Sequence, residues 1–250
     1  MKKFLTILIA LIMISFSFVL IPSEVFSPEN HNDSHYSKVT IKNDKFTGDY
    51  TRKINGVKVE VERDFTYSRY LEIKGVIENT PTACFKNLEK IVLTPRHPCL
   101  AANESPDKEL LDYVEAHPNI SGLHVGIGVV GTDEITSILY LRDRDDIMSS
   151  YIHELAHHVG GVIVTDGKTM CESDEFKKLC RQFRTKVGKN DDAASKWFAK
   201  QPDSELFAYF AECIYADDGS SYHKIVMSFP KIIEYYEDQY NLLKEEEQST

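Results

Sequence analysis

The sequence is short of basic residues and lacks closely spaced cysteine pairs. Its 29 lysines and arginines are outnumbered by 39 aspartates and glutamates, so the formal net charge is −10. This balance argues against a nucleic-acid-binding surface and gives no reason to expect attraction to an anionic membrane. There are five cysteines but no Cys-x-x-Cys spacing, which argues against a zinc site built from cysteine. The chain also lacks internal repeats, so we expect a single globular domain.

Long hydrophobic runs are missing except near the N-terminus. Lys2 and Lys3 precede an apolar run over residues 4–21, and small polar residues follow it. A basic start, an apolar segment and small residues near a cleavage point are typical of a secretory signal peptide, which we place at residues 1–27. An uncleaved anchor is the alternative, because the run approaches the length that spans a bilayer. After cleavage we expect a secreted protein with no membrane attachment.

The next segment, residues 28–50, is polar and has few apolar anchors. We therefore predict a flexible lead-in, followed by one domain at residues 51–250. Export would permit disulfide bonds. Closeness in the sequence favours the disulfide pairs Cys84–Cys99 and Cys171–Cys180. The fifth cysteine, Cys213, is then unpaired, and we expect it to be buried on a helix.

One stretch carries recognisable chemistry: residues 151–158, Tyr-Ile-His-Glu-Leu-Ala-His-His, contain the pattern His-Glu-x-x-His. On an α-helix, residues four apart lie on one face, so His153 and His157 can point two imidazole nitrogens at one metal ion. Glu154 is rotated by about 100° from His153 and can reach a water on that metal without being a ligand. Zinc peptidases need this spacing, because zinc polarises the peptide carbonyl and acidifies the water while the carboxylate takes the proton.

The residues around the motif predict an amphipathic helix. Apolar residues recur at helical spacing from Ile147 to Val159, and Gly160 and Gly161 stand where such a helix would end. We interpret His158, one residue off the metal-facing side, as a supporting or surface residue and not as a ligand. The alternative for the whole motif is a helix whose histidines only satisfy buried hydrogen bonds.

The remaining periodicity predicts a small sheet with early helices, followed by a mostly helical half. We place an edge strand at residues 135–141, where it could receive a substrate backbone; a plain core strand is the alternative. The other predicted strands are 57–61, 88–93 and 124–130, and the other predicted helices are 67–77, 110–114, 171–187, 191–200, 203–216 and 229–245. The predicted fold class is α+β with a small mixed sheet, and the metal would lie between the two halves.

Two histidines leave a catalytic zinc site incomplete, since such a site has three protein ligands and an open position. A third histidine six residues after His157 would give the metzincin pattern, but that position is Ile163. The alternative is a glutamate from a later helix, and the helix predicted at 203–216 offers Glu205 and Glu212 on one face. Its other residues are mostly apolar, and a buried glutamate needs a partner such as a metal.

The chain resembles the secreted zinc peptidases related to the anthrax lethal factor catalytic domain, a gluzincin-type family that includes the Pro-Pro endopeptidases. The resemblance rests on three segments: His153-Glu154-Leu155-Ala156-His157, Glu205-Leu206-Phe207-Ala208, and Ser228-Phe229-Pro230-Lys231 at the start of the last predicted helix. The family layout of small sheet, active-site helix and helical tail fits residues 55–245. The resemblance implies a zincin-like fold and one zinc ion held by His153, His157 and Glu205, which it favours over Glu212. It also implies Glu154 as the general base.

Two positions depart from the family pattern. Where the family has a second glutamate, four residues after the ligand, this chain has Tyr209, and Glu212 can take over the supporting role. Where the family has an oxyanion-stabilising tyrosine, seven residues before the ligand glutamate, this chain has Phe198, which cannot donate a hydrogen bond. Tyr209 and Tyr215 are the candidates for another donor.

The residues and the resemblance together predict a secreted, monomeric zinc endopeptidase that acts on peptide or protein substrates. The alternative is a peptidase-like protein that binds zinc or peptide with little or no turnover, which the missing tyrosine favours. A third and weaker alternative is another zinc hydrolase, such as one acting on cell-wall peptides. No residue in the sequence establishes a preference for proline.

Overall fold

The computed structural model describes residues 40–128, 135–162, 164–165, 168–216 and 219–248. The predicted signal peptide and the first part of the lead-in lie outside the described residues. The described chain is α+β, which confirms the coarse prediction: a small mixed sheet comes first, and helices dominate the second half. None of the described helices is long and apolar enough to cross a membrane.

The strands follow the alternation of apolar and polar side chains in the sequence. They are β1 (Ile41–Lys42), β2 (Lys45–Phe46), β3 (Tyr50–Ile54), β4 (Val57–Val61), β5 (Leu88–Thr94), β6 (Gly122–Gly128), β7 (Ile135–Arg142), β8 (Val164–Thr165) and β9 (Lys168–Thr169). On β4 the three valines are buried while Lys58 is exposed, because successive side chains point to opposite faces of a sheet. The strand predicted at 57–61 is therefore confirmed residue for residue.

The helices begin close to where periodicity places them. They are α1 (Tyr67–Asn79), α2 (Pro98–Ala101), α3 (Lys108–Ala116), α4 (Ile147–Val162), α5 (Asp174–Val187), α6 (Ala193–Phe198), α7 (Asp203–Tyr215), α8 (Ser221–Met227) and α9 (Pro230–Gln248). Single turns of 3-10 helix occupy Thr82–Phe85 and Met170–Glu172. Helices α2 and α8 were not predicted, because they are too short to show a helical period.

Five strands form one mixed sheet in the order β3-β4-β5-β7-β6. β4, β5 and β7 run parallel, while β3 and β6 are antiparallel to their neighbours and occupy the two edges. The prediction that residues 135–141 form an edge strand is wrong, because β7 lies between β5 and β6. Strand β6 is the edge on this side, and it packs against α4.

Two hydrophobic cores meet at helix α4. The first lies between α1 and the sheet and includes Leu139; the second lies among the helices and includes Phe210. Ile152 and Leu155 of α4 are partly buried and pack against both cores. The helix that carries the histidine motif is therefore held from both sides.

Ordered structure begins before residue 51. Phe46 on β2 is 1% exposed, and its ring packs against the rings of Tyr50, Tyr67 and Tyr70. The prediction of a flexible lead-in over residues 28–50 is therefore wrong for its described part. One buried aromatic side chain anchors this segment to the domain, although most of its neighbours in sequence are polar and exposed.

Helix α4 does not end at Gly160, as the sequence suggested, but continues to Val162. A Cβ atom at Gly160 would lie 2.7 Å from Cδ1 of Phe207, whereas one at Gly161 would meet nothing within 4 Å. Gly160 therefore permits the close approach of α7 to α4 and does not mark a helix end.

The two predicted disulfide bonds are not formed: all five cysteines lie within the described residues, and none is oxidised to a disulfide. Cys84 is buried in the helical core, whereas Cys99 lies on α2, which packs beside β6 and β7. Cys171 Sγ lies 3.6 Å from Thr169 Oγ1, and Cys180 is buried on α5. Closeness along the chain does not bring these sulfur atoms into bonding geometry.

Candidate metal centre

Helix α4 places the two motif histidines on one face, one turn apart. Their Nε2 atoms lie 3.1 Å from each other, so both imidazole rings point to a common position beside the helix. His153 and His157 are partly buried, with side chains 14% and 17% exposed. The pair is therefore preorganised by the backbone of a single helix.

Helix α7 brings Glu205 to the same position. One carboxylate oxygen lies 3.6 Å from Nε2 of His153, and the other lies 3.4 Å from Nε2 of His157. The ligand atoms of these three residues all lie within 4.8 Å of one another. Zinc–ligand bonds of roughly 2.0–2.1 Å in a tetrahedral site place ligand atoms about 3.3 Å apart, so the donor set fits a zinc ion.

Glu212, the rival ligand, occupies a different place. Its Oε2 lies 3.0 Å from Nδ1 of His153, the ring nitrogen that faces away from His157. Glu212 is two turns further along α7 than Glu205, so its carboxylate lies on the opposite side of the His153 imidazole from that of Glu205. The two glutamates that the sequence left as alternatives therefore contact the two nitrogens of the same ring.

Glu154 lies between α4 and the edge strand β6. Its carboxylate packs over Gly122, where an added Cβ would lie 2.6 Å from the Glu154 Cγ, and it accepts a hydrogen bond from the backbone N–H of His124. Burial raises the pKa of Glu154 to about 7, and the nearby Glu205 and Glu212 add to this increase while His153 opposes it. A carboxylate with such a pKa is suited to accept a proton at neutral pH.

Opposing environments act on the two histidines. Burial disfavours the charged form of His153, but hydrogen bonds with Glu205 and Glu212 outweigh it and raise its pKa to about 9. Burial lowers the pKa of His157, and the proximity of His153 lowers it further. The hydrogen bond with His153 holds the pKa of Glu205 below its usual range. The centre therefore places two carboxyl groups around the imidazole of His153.

The oxyanion donor expected at position 198 is missing, as the sequence indicated. Phe198 is fully buried in the helical core. Of the two alternative tyrosines, Tyr209 stacks its ring edgewise on His153, with centroids 4.5 Å apart, while Tyr215 contacts Tyr236 on α9. Burial and the neighbouring glutamates raise the pKa of Tyr209 to about 12, so its hydroxyl is protonated and can donate a hydrogen bond at neutral pH.

His158 is neither at the surface nor among the three clustered residues. It is fully buried, and a hydrogen bond of 2.6 Å joins its Nδ1 to Ser137 Oγ on β7. Burial lowers its pKa to about 4, and the nearby His124 adds to this effect, so its imidazole is neutral at physiological pH. Of the two roles left open for His158, the surface position is wrong, because the side chain is buried and its hydrogen bond to Ser137 links α4 to the sheet.

Two residues of the site were not predicted from the sequence. His124 on β6 stacks near His157, with ring centroids 6.4 Å apart, and its Nε2 is buried without a hydrogen-bond partner among the described residues. Gly122 leaves room for Glu154, as described above. The sequence signal for the latter is a glycine two residues before the strand predicted at 124–130, since a glycine beside a strand can mark a close approach of another group to the backbone.

No family model and no curated protein matches the sequence, and no solved structure matches the fold. Function is therefore inferred from the chemistry and geometry of these residues.

Proposed function

We propose that the protein is a secreted zinc-dependent endopeptidase. The observation that carries this proposal is the convergence of His153, His157 and Glu205 from two helices, with Glu154 beside them on the edge-strand side. Two imidazoles and one carboxylate form a ligand set that catalytic zinc sites use. The resemblance of the motif segments to the lethal factor-like peptidases points the same way, as does the signal-peptide pattern at residues 1–27.

A zinc ion held by these three side chains would act as a Lewis acid on the peptide carbonyl and lower the pKa of a water molecule. Glu154 accepts the proton of the attacking water and later delivers it to the leaving amine, a role for which its raised pKa is suited. Glu212 accepts a hydrogen bond from Nδ1 of His153, which leaves Nε2 of that ring free to hold a zinc ion. The Tyr209 hydroxyl, carried by a ring that lies against His153, would donate a hydrogen bond to the substrate carbonyl oxygen as negative charge develops on it.

The edge strand supports a peptide as the substrate. Strand β6 pairs with β7 on one side, and no other strand among the described residues pairs with its second side. An extended peptide can add to such an edge through main-chain hydrogen bonds. The carboxylate of Glu154 lies directly beside this strand, so an added peptide would pass next to the proposed base.

The test combines metal analysis with a peptide digest. The purified protein should contain one zinc ion per chain and cleave members of an unbiased peptide library, and a chelator should abolish cleavage. The Glu154→Ala variant should keep its fold and its zinc but lose cleavage, whereas His157→Ala should lose both zinc and cleavage. Normal cleavage by Glu154→Ala would refute the mechanism. Zinc and peptide binding by the wild type without any cleavage would identify a binding protein instead.

A further inference from the structure

An open cavity of 340 Å³ adjoins the candidate metal centre. It is lined by Trp197, Tyr209, Glu212, Cys213, Ala216 and Tyr222. Its volume lies in the range of about 300–1,000 Å³ that is usual for ligand pockets. Glu212 contacts His153 through Oε2, so one imidazole ring separates the cavity from the proposed metal position. A side chain held in this cavity would therefore belong to a substrate residue close to the cleaved bond.

Three aromatic rings form the wall of the cavity. The ring of Trp197 lies at 83° to that of Tyr209, with centroids 4.6 Å apart, and at 81° to that of Tyr222, with centroids 5.1 Å apart. In such edge-to-face contacts the edge of one ring packs on the face of the next, so the three rings form one continuous aromatic wall beside Glu212. A cation placed against an open ring face of this wall would be attracted by the negative charge of that face.

The charge of the lining matches the same kind of ligand. Glu212 is the one charged residue among the six lining residues, and its side chain is 26% exposed. The chain as a whole carries a formal net charge of −10, which favours the approach of basic ligands.

We propose that this cavity is a specificity pocket for a basic side chain, lysine or arginine, of the peptide substrate. The inference rests on the proposed endopeptidase function and names its substrate class. An apolar side chain would contact the rings equally well but would strip water from Glu212 without replacing it, which costs free energy. A cationic side chain replaces that water with an ion pair and adds the attraction of the ring faces.

The single tryptophan of the sequence, Trp197, gives a direct test that does not require activity. Its fluorescence should change saturably when the full chain is titrated with Nα-acetyl-lysine amide or Nα-acetyl-arginine amide at constant ionic strength. The isosteric Nα-acetyl-norleucine amide, which lacks the charge, should give no saturable change at the same concentrations. An equal response to the neutral amide, or no response to either basic amide, would overturn the proposal.

A matched pair of tyrosine variants locates the binding. Tyr222 is 37% exposed, so Tyr222→Leu should fold normally while it removes one ring of the aromatic wall, and it should weaken binding of the basic amides by about tenfold. Tyr113, which is 45% exposed on α3 outside the cavity, provides the control, and Tyr113→Leu should bind the amides as the wild type does. Unchanged binding by Tyr222→Leu would place the ligand elsewhere.

Cleavage of matched peptides then connects the cavity to specificity. Peptides that carry lysine at one position flanking the cleaved bond should have kcat/KM values about tenfold higher than their norleucine counterparts, and Tyr222→Leu should bring this ratio close to one. Equal rates for both peptides would refute the specificity role even if the protein is a peptidase. Saturable binding of the basic amides without cleavage of any peptide would instead support the pocket and refute the proposed endopeptidase function.

Discussion

Oε2 of Glu212 lies 3.0 Å from Nδ1 of His153, while Nε2 of the same ring faces His157. A carboxylate behind a ligating histidine fixes its tautomer and ring orientation, and loss of such a partner typically costs about 10–100-fold in metal affinity or activity. We therefore expect Glu212→Ala to bind zinc about 10–100-fold more weakly in competition with a chromogenic chelator. Glu237→Ala, at an exposed position on α9, should not change the affinity. Equal affinities of the two variants would contradict this role.

Strand β6 offers a pair of glycines that tests the position of Glu154. A Cβ at Gly122 would lie 2.6 Å from Cγ of Glu154, whereas one at Gly126 would meet only Ile135 Cγ2 at 3.9 Å. Gly122→Ala should displace the carboxylate and reduce kcat by about 100-fold, because a small misplacement of a catalytic group is costly. Its zinc content should stay unchanged, and Gly126→Ala should cleave at the wild-type rate. Full activity of Gly122→Ala would show that Glu154 is not the base.

Tyr209 should matter for the chemical step more than for substrate binding. Removing one oxyanion donor typically costs on the order of 10²–10³ in kcat. We expect this loss for Tyr209→Phe, with zinc content and KM close to those of the wild type. Tyr215→Phe is the control, because Tyr215 contacts Tyr236 and not the histidine ring. A small effect at Tyr209 would assign oxyanion stabilisation to another group.

The contact between α4 and α7 can be tested through stability alone. Alanine at Gly160 would place its Cβ 2.7 Å from the ring of Phe207, and such overpacking typically costs about 1–3 kcal/mol. Alanine at Gly161 meets nothing within 4 Å and should stabilise the helix by up to about 1 kcal/mol. Urea unfolding of both variants measures the difference. A stabilised Gly160→Ala variant would show that the two helices are less closely packed.

Asp143 provides a pH-dependent contribution to stability. Burial disfavours its charged form, but hydrogen bonds from Arg69, Thr66 and Lys45 outweigh this cost and lower its pKa below the ordinary value of 3.8. Its stabilising contribution is therefore complete well above pH 4 and is lost as the pH falls through the lowered value. Asp143→Asn should lower the free energy of unfolding by about 1–3 kcal/mol at pH 7.

The pH profile supplies the check on this assignment. The difference in unfolding free energy between the wild type and Asp143→Asn should shrink as the pH falls below about 4, because the native carboxyl group then becomes neutral as well. Denaturant unfolding at a series of pH values measures it. A difference that stays constant down to pH 2 would show that the effect of the substitution does not come from the charge.

Local patterns were enough to predict several elements of this fold. The strict alternation of residues 57–61 has a period that only a strand satisfies, and the structure has β4 at these residues. The spacing of His153 and His157 needs only one turn of helix to bring them together, so their convergence also followed from local geometry. Local regularity carries this information because it depends on the backbone within a few residues.

Other features depend on contacts between distant segments and could not be read from local patterns. Glu205 and Glu212 lie on the same face of α7, and only the packing of α7 on α4 decides which nitrogen of His153 each one meets. The order of strands in the sheet likewise cannot be predicted from hydrophobic periodicity, so the prediction of an edge strand at residues 135–141 was wrong. Gly160 resembled a helix end because the ring that packs on it belongs to a residue far along the chain.

The position of α4 between two cores has a practical consequence for protein engineering. A chain trimmed to the helical half would keep every proposed zinc ligand in its sequence, yet Ile152 and Leu155 would lose their neighbours on the sheet side. Those side chains would then face solvent on the very helix that aligns the two imidazoles. A miniaturised version of this centre therefore has to retain the sheet, although no strand contributes a ligand.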